Sequence, residues 1–416
     1  MALNDSPKHT PGALTKKLEE TTSTLANLLL DTNLGSQSQR DTPHSIVCPF
    51  YHHPSLNNES PHVCTSEPNS HSHPSPLLDD LLDESLVSIP KEPQTPAASI
   101  ELEQVLEANG IVNDYYWNLI SWSSSNVIAV AVKKDVQLRR LEDGGMFSIR
   151  KDQSSSVSSV DFSNDGNVLA AGLDGGDGAG TVEMYDIETQ SLLRKIQGCR
   201  SPATSLSWNK QIVTVGHYNG RIVHYDVRLG KPQVMELRGH NRIVCGLEWR
   251  SDGGLLTSGC DGGVVNIWDS RSGTFVPGSR GEVLWTKRDH NAAVKALAWC
   301  PWKPSLLASG GGLSDGTIQF WDTNTGERLN KLDFSSSAQV TSVQWSTHRT
   351  EFLTTFGHPN HGIVVHGYPS LEQLVEKQDA HDQRILWSAL SPSKDVICTG
   401  GADGVLKLWK VWPTGG

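Results

Sequence analysis

Short runs in which apolar and polar residues alternate recur from about residue 110 to residue 410. Alternation with a period of two is typical of β-strands that bury one face. Turn sequences such as SNDGN, RSDGG and CDGG separate the runs, and Asp-Gly steps favour tight hairpins. The chain contains no run of roughly 18 apolar residues, the length that would predict a membrane span. The pattern therefore predicts an all-β domain of short, hairpin-connected strands.

One strand of each repeat ends in an aromatic residue that is often followed by aspartate. The strong copies TVEMYD, RIVHYD, VVNIWD and TIQFWD end at Asp186, Asp226, Asp269 and Asp322, and the weaker copies DVQLRR, GIVVHG and VLKLWK end at Arg140, Gly367 and Lys410. Successive copies lie 40 to 53 residues apart, the period of WD40 repeats, each of which forms one four-stranded blade. Seven copies predict a closed seven-bladed β-propeller. Closure requires the chain ends to meet, so the segment before Ile111 is expected to pair beside VLKLWKVW.

The first hundred residues have a different composition. They contain 12 of the 21 prolines and 7 of the 16 histidines, and only 5 Lys or Arg against 12 Asp or Glu. Because so few apolar residues cannot offset the entropy of ordering a chain, we predict disorder. The predicted organisation is an acidic, Pro/His/Ser-rich regulatory arm at 1–104, a propeller at 105–412 and a short tail at 413–416.

The predicted arm contains six Ser-Pro or Thr-Pro steps, which proline-directed kinases accept in extended sequence. The candidate phosphosites are Ser6, Thr10, Thr42, Ser60, Ser75 and Thr95. The stretch CPFYHHPSLNNESPHVC also offers Cys and His side chains. Its spacing matches no compact zinc finger, so we predict neither a metal site nor a cofactor.

Charge and cysteine content limit the possible classes of protein. The formal net charge of -11 argues against a nucleic-acid binder, and the first residues lack the pattern of a secretory signal. Seven scattered cysteines are typical of reduced thiols in an intracellular protein, and we expect the protein in the nucleus and cytoplasm.

No catalytic arrangement stands out. The glycine-rich GLDGGDGAG lacks the Lys-Ser/Thr ending of a phosphate-binding loop and is interpreted as an extended turn in the second blade. His240, His290 and His381 lie near the structural Gly-His position of the repeats. We therefore predict a binding protein rather than an enzyme.

Three longer runs identify a family. NDYYWNLISWSSSNVIAVAV, AVKALAWCPWKPSLLASGGGLSDGTIQFWD and HDQRILWSALSPSKDVICTGGADGVLKLWK resemble the fizzy and fizzy-related family. Its members are WD40 co-activators of the anaphase-promoting complex, a ubiquitin ligase, and include mitotic and divergent meiotic types. The resemblance implies a substrate adaptor whose partners are ligase subunits, checkpoint proteins and substrates such as cyclins and securin-like proteins.

In this family the propeller binds short degron peptides. One of them is the destruction box, Arg-x-x-Leu, whose arginine is met by acidic side chains near the junction of the first and last blades. The resemblance implies that Asp114 is the first of these acids. A second acid is usual where this chain has Gly404.

The second degron is the KEN box. The resemblance implies a KEN-box site at Gln339, Arg384 and Asp261, where asparagine is more common than Asp261. Ser121 and Leu313 also differ from the usual residues of that site. In the alternative interpretation, Gln339 and Arg384 are ordinary solvated loop residues.

The docking elements of the family are not recognisable. No Asp-Arg pair, the start of the family's C-box, occurs in the chain, which ends in VWPTGG rather than Ile-Arg. An alternative to the activator is therefore a scaffold or decoy of this family that binds cell-cycle proteins without docking on the ligase.

Overall fold

In a computed structural model of the chain, the described residues are 98–150, 154–269, 279–281, 283–335 and 337–413. Over these ranges the chain forms 29 β-strands and no helix, and hence none that could cross a membrane. The strands form seven sheets arranged as blades, which confirms the predicted all-β seven-bladed propeller. Residues 1–97 of the predicted arm, with all six candidate phosphosites and the Cys/His stretch, lie outside the described residues.

The strands follow one another blade by blade. The chain starts with β1 (Glu101–Glu107). Blade 1 has β2 (Ile120–Trp122), β3 (Val127–Val132), β4 (Asp135–Arg140) and β5 (Met146–Ser148), and blade 2 has β6 (Ser156–Phe162), β7 (Val168–Asp174), β8 (Gly180–Asp186) and β9 (Ser191–Cys199). Blade 3 has β10 (Ala203–Asn209), β11 (Ile212–His217), β12 (Arg221–Asp226) and β13 (Gln233–Arg238), and blade 4 has β14 (Val244–Trp249), β15 (Leu255–Cys260) and β16 (Val265–Asp269). After β17 (Ser279–Gly281), β18 (Val283–Lys287) completes blade 4.

The last three blades follow the same order. Blade 5 has β19 (Val294–Trp299), β20 (Leu306–Gly311), β21 (Thr317–Asp322) and β22 (Arg328–Asp333), and blade 6 has β23 (Val340–Trp345), β24 (Glu351–Phe356), β25 (Ile363–Gly367) and β26 (Gln373–Lys377). Blade 7 has β27 (Ile385–Leu390), β28 (Val396–Gly401) and β29 (Val405–Lys410). The first strand of each blade is innermost, and residues from all seven of these strands line a central channel.

Burial changes from the middle to the rim of each blade. All six residues of β3 are buried, because adjacent blades cover both of its faces. The outermost strand β22 instead exposes five of its six residues. Between blades 5 and 6 the aromatic rings of Phe320, Trp345 and Phe352 pack with centroids 5.3 to 6.0 Å apart. The core is thus a series of apolar layers between neighbouring blades.

The first and last strands close the ring. Strand β1 pairs antiparallel with β29, with Glu101 opposite Lys410 and Glu107 opposite Val405. The Ala108 amide continues the pairing by donating to the carbonyl of Gly404 at 2.8 Å. The predicted pairing of the segment before Ile111 with VLKLWKVW is confirmed, and the fourth strand of blade 7 comes from the other end of the chain.

Polar networks brace several blades internally. In blade 5, His290 Nε2 and Trp321 Nε1 each lie 2.8 Å from Ser309 Oγ, and His290 Nδ1 lies 3.3 Å from Asp315 Oδ1. Blade 7 repeats the network with His381, Thr399, Asp403 and Trp409. Both histidines are buried and paired, as the structural interpretation predicts.

Blade 4 has an incomplete network. His240 Nε2 lies 2.7 Å from Ser258 Oγ, and Trp268 donates to the same hydroxyl at 2.8 Å. Gly262, the residue before the positive-φ glycine of the turn, occupies the place that an aspartate holds in blades 5 and 7. His240 Nδ1 is accordingly buried without a hydrogen-bond partner.

Blade 3 carries a fifth strand. Strand β17 pairs in parallel with the outermost strand β13, with Met235 opposite Ser279 and Leu237 opposite Gly281. This segment belongs to the longest repeat interval, between Asp269 and Asp322. The extra residues of blade 4 thus reach back and cover the edge of the preceding blade.

Candidate peptide-binding site

A depression of about 490 Å³ opens on one face of the ring and brings together the four predicted degron-binding residues. They are Asp114, Asp261, Gln339 and Arg384. The remaining lining residues are Asn113, Tyr115, Tyr116, Ala292, Ala293 and Leu313.

Strand direction explains why these residues meet. Gln339 and Arg384 immediately precede the innermost strands β23 and β27, and Asp261 immediately follows β15. In an antiparallel blade, the first strand begins at the same end at which the second strand finishes. All three residues therefore emerge on one face, here called the upper face, although up to 123 positions separate Asp261 from Arg384 in sequence.

Arg384 is fixed by the chain segment that enters blade 1. Its Nε donates to Asn113 Oδ1 at 2.6 Å and its Nη2 donates to the Asn113 carbonyl at 3.0 Å. These bonds cross the seam between blades 1 and 7. They hold the guanidinium in one orientation at the wall of the depression, with N–H groups beyond these two bonds still able to donate.

Asp114 ends the polar part of the same segment. Its Oδ1 accepts a hydrogen bond from the Tyr116 amide at 2.7 Å, which turns the chain so that Tyr115 points inward and Tyr116 points outward. Tyr115 is buried, and its hydroxyl donates to the Val340 carbonyl at 2.9 Å. The second carboxylate oxygen of Asp114 has no hydrogen-bond partner among the described residues and lines the depression.

Asp261 already has a cationic partner. Arg242 Nη2 lies 3.1 Å from Asp261 Oδ2, and Arg242 Nε lies 3.2 Å from both carboxylate oxygens. Burial, and then the charges of Asp261 and Asp114 among other causes, raise the pKa of Tyr116. The Tyr116 phenol thus lies in the field of both carboxylates.

Gln339 supplies a polar part of the wall at the start of blade 6. Its backbone amide donates to the His358 carbonyl at 3.0 Å, and its carbonyl accepts from the Gly357 amide at 2.9 Å. Its Oε1 is buried and has no hydrogen-bond partner. A Cβ at Gly357 would lie only 2.3 Å from that oxygen, so the glycine is what allows the amide to fit. The alternative of an ordinary solvated loop residue does not describe Gln339, which is 5% exposed.

The rim of the depression is partly apolar. Leu313 is 49% exposed and Tyr116 is 36% exposed. Carboxylates, a guanidinium and an amide therefore surround the same opening as exposed apolar side chains. This arrangement can bind a short peptide that carries charged side chains of both signs.

Ser121 lies away from the depression. It is in β2 and faces the central channel, where its Oγ donates to Asp161 Oδ1 at 3.0 Å. Ser121 therefore lies apart from Asp261, Gln339 and Arg384, which line the depression. Leu313 does line the depression.

Glu107 is an acid that sequence reasoning missed. It is exposed, at the end of β1, and lies opposite Val405, the residue after Gly404. Asp403, the nearest acid in sequence, is instead bound to His381 at 3.0 Å. The predicted pairing of β1 with β29 could have revealed Glu107, had it been extended to a residue-by-residue register.

The depression offers no evident metal centre. Among residues 98–413, as far as they are described, no three His, Cys, Asp or Glu side chains come together as metal ligands would.

Comparison with known proteins agrees with this architecture. The model of the CDC20/Fizzy WD40 domain matches residues 106–409. WD repeat-containing protein slp1 of Schizosaccharomyces pombe is 44% identical over 313 residues, which cover 74% of this chain and 61% of slp1. Anaphase-promoting complex subunit cdc20 of Dictyostelium discoideum is 35% identical over 392 residues, which cover 94% of this chain and 73% of that relative. A chain of the "Crystal Structure of Mitotic Checkpoint Complex" superposes with a TM-score of 0.70 at 41% identity, covering 82% of this chain and 99% of that one.

Proposed function

This chain belongs to the CDC20/Fizzy family of WD40 proteins, and on that premise we propose that it is a substrate adaptor and activator of the anaphase-promoting complex. It binds degron peptides in the upper-face depression and presents their proteins for ubiquitination. Its contribution is binding rather than catalysis. Its partners are ligase subunits, cell-cycle substrates and checkpoint proteins, as the names of similar proteins suggest.

The observation that carries this proposal is the convergence of Asp114, Asp261, Gln339 and Arg384 on one opening. Four separate loops supply them. A KEN-box peptide offers a lysine, a glutamate and an asparagine, which complement a carboxylate, a guanidinium and an amide respectively. A solvated loop surface would not be expected to place all three partners around one depression.

Fluorescence anisotropy with a labelled Lys-Glu-Asn peptide tests the site. Asp114→Ala and Arg384→Ala should each weaken binding roughly ten- to hundredfold, because each removes a charge-assisted hydrogen bond worth about 1.5–3 kcal/mol. Asp143→Ala is the matched control, since Asp143 is an exposed carboxylate that pairs with Arg140 away from the depression. Equal affinity in all four proteins would sink the proposed site.

A labelled Arg-x-x-Leu peptide tests the destruction-box prediction in the same assay. If Asp114 meets its arginine, Asp114→Ala should weaken this peptide too. Glu107 competes for that role, because it lies beside Gly404 at the seam of blades 1 and 7. If Glu107→Ala loses binding of this peptide and Asp114→Ala does not, the destruction box binds at the seam rather than in the depression.

Co-purification with ligase subunits distinguishes an activator from a scaffold or decoy that only binds peptides. An activator should copurify with ligase subunits and support ubiquitination of a degron-bearing substrate in vitro. A scaffold or decoy would bind the peptides but not the ligase.

The proposed localisation to nucleus and cytoplasm can be checked by imaging a tagged chain. Phosphorylation of the six Ser/Thr-Pro sites can be checked by mass spectrometry of protein from dividing cells.

A further inference from the structure

Beneath the depression lies a buried lysine that peptide contacts do not account for. Lys295 is in β19, the innermost strand of blade 5, and lines the central channel with 7% of its surface exposed. Its Nζ donates to the carbonyls of Trp117 at 3.0 Å and Leu386 at 2.9 Å. One ammonium group thus joins blade 5 to blade 7 and to the segment entering blade 1.

Two aromatic rings complete the surroundings of this cation. The Lys295 Nζ lies 5.4 Å from the ring centroid of Tyr115 and 5.1 Å from that of Trp387. Trp387 Nε1 donates to the same Trp117 carbonyl. Carbonyl oxygens and ring faces both stabilise a positive charge, and a buried ammonium without such partners would be costly.

One contact of Lys295, Tyr115, lines the depression, and another, Trp117, follows it in the same segment. Tyr115 and Trp117 flank Tyr116, and Tyr115 follows Asp114 directly. Tyr115 is further held by its hydrogen bond to the Val340 carbonyl in blade 6. Burial lowers the pKa of Lys295 to about 7, and Cys245 and Asp114 act in the opposite direction.

We infer that Lys295 is a positioning residue of the peptide site: its ammonium group holds Tyr115 and Trp117, and through them sets the place of Asp114 and Tyr116 above it. This role rests on the proposed function of the depression. Lys295 itself, being buried, does not touch the peptide.

A lysine elsewhere in the ring provides a matched control. Lys407 in β29 is half-buried and donates from Nζ to the Ala380 carbonyl at 2.8 Å. It does not line the depression. Lys295→Met and Lys407→Met therefore both remove a lysine–carbonyl bond, but only the first removes it under Tyr115 and Trp117.

Three measurements on the full chain separate positioning from general stability: the Tm, hydrogen–deuterium exchange of residues 112–118, and anisotropy with the Lys-Glu-Asn peptide. Lys295→Met should weaken peptide binding by about tenfold or more and speed exchange in 112–118. Lys407→Met should lower the Tm without either effect. Equal behaviour of the two variants would overturn the inference.

Folding failure and functional failure are distinguishable. If Lys295→Met does not fold, Lys295→Gln, which keeps an N–H donor, is measured in its place, and failure of both assigns Lys295 to ring stability alone and overturns the inference. If the unsubstituted chain binds no peptide, the proposed function fails. The exchange of 112–118 still decides the positioning role, because it requires no ligand.

Discussion

Individual charges in the depression differ in how available they are to a ligand. Asp261 is bound by Arg242 through three N–H···O contacts. Asp114 accepts a hydrogen bond from the Tyr116 amide on one carboxylate oxygen only. Exposed ion pairs are worth about 0.2–1 kcal/mol, so a ligand cation could displace Arg242 at modest cost. If the depression binds a peptide as proposed, we expect a peptide lysine to pair mainly with Asp114 and secondarily with Asp261.

At the residue scale, Asp161 makes stability depend on pH. Burial in the channel raises the pKa of Asp161 to about 7, against a hydrogen bond from Ser121 that lowers it. The folded pKa exceeds the unfolded value, so the folded state binds more protons between about pH 4 and 7, and stability falls as pH rises through that window. Asp161→Asn should remove this loss. The free energy of unfolding of the variant, relative to the unsubstituted chain, should be greater at pH 7.5 than at pH 5, measured by urea titration.

The control for this prediction is Asp143→Asn. Hydrogen bonds to Gly145 and Arg140 lower the pKa of Asp143, so its titration ends below this pH range. A difference between Asp161→Asn and the unsubstituted chain that stays constant from pH 5 to 7.5 would show that Asp161 is ionised throughout.

Some residues of the candidate site could be predicted from the sequence. Asp114, Gln339 and Arg384 could be named because they lie in runs that resemble the family, and the fold explains their meeting. Lys295 and Glu107 could not be found in this way. Their roles depend on carbonyls and strand partners roughly 90 to 300 positions away, and neither residue forms a local motif.

At the scale of a single element, blade 4 shows the consequence of one missing carboxylate. Gly262→Asp should give His240 Nδ1 the partner that it lacks, since aspartates at the same place in blades 5 and 7 bind His290 and His381. A new Cβ would meet Arg242 Cδ at 2.9 Å, but that side chain is 60% exposed and can move. The free energy of unfolding should rise by roughly 1 to 2 kcal/mol.

Gly262→Ala is the steric control for this change. It adds the Cβ without the carboxylate, and should leave stability unchanged or lower it slightly. The comparison is made by urea unfolding at pH 7. If the aspartate variant is no more stable than the alanine variant, the missing hydrogen-bond partner of His240 Nδ1 does not lower the free energy of unfolding.

Strands were more predictable than their irregular neighbours. The Trp-Asp periodicity identified the third strand of every blade, because that strand is buried by its neighbours and must keep its apolar pattern. Strand β17 could not be foreseen. The longest repeat interval showed that blade 4 has extra residues, but three residues in parallel pairing with β13 leave no alternating pattern.

At the scale of the whole molecule, the ring depends on β1. Deleting residues 98–107 along with the arm should remove six paired positions on β29 and expose the edge of blade 7. The expected loss is at least about 3 kcal/mol, at roughly 0.5–1.5 kcal/mol for each net hydrogen bond. Deleting residues 1–97 alone should leave the Tm nearly unchanged. The Tm values of the two truncated proteins and of the full chain are measured by calorimetry and compared.

The outcome for residues 1–97 also bears on the predicted arm. A Tm that falls as far without residues 1–97 as without residues 1–107 would show that the arm contributes to the ring. Unequal losses would place the boundary of the folded domain at β1.

The bond between Arg384 and Asn113 joins residues 271 positions apart, and this has a consequence for biosynthesis. Ribosomes add about 5–20 residues per second, so roughly 15 to 50 s of translation separate the two sides of the depression. During that interval β1 and the segment around Asp114 have been made, but Arg384 and strands β27, β28 and β29 of blade 7 have not. In a chain whose translation has not reached Arg384, the proposed peptide site is therefore incomplete. Completion of translation, rather than synthesis of any one repeat, is the step that completes this proposed site.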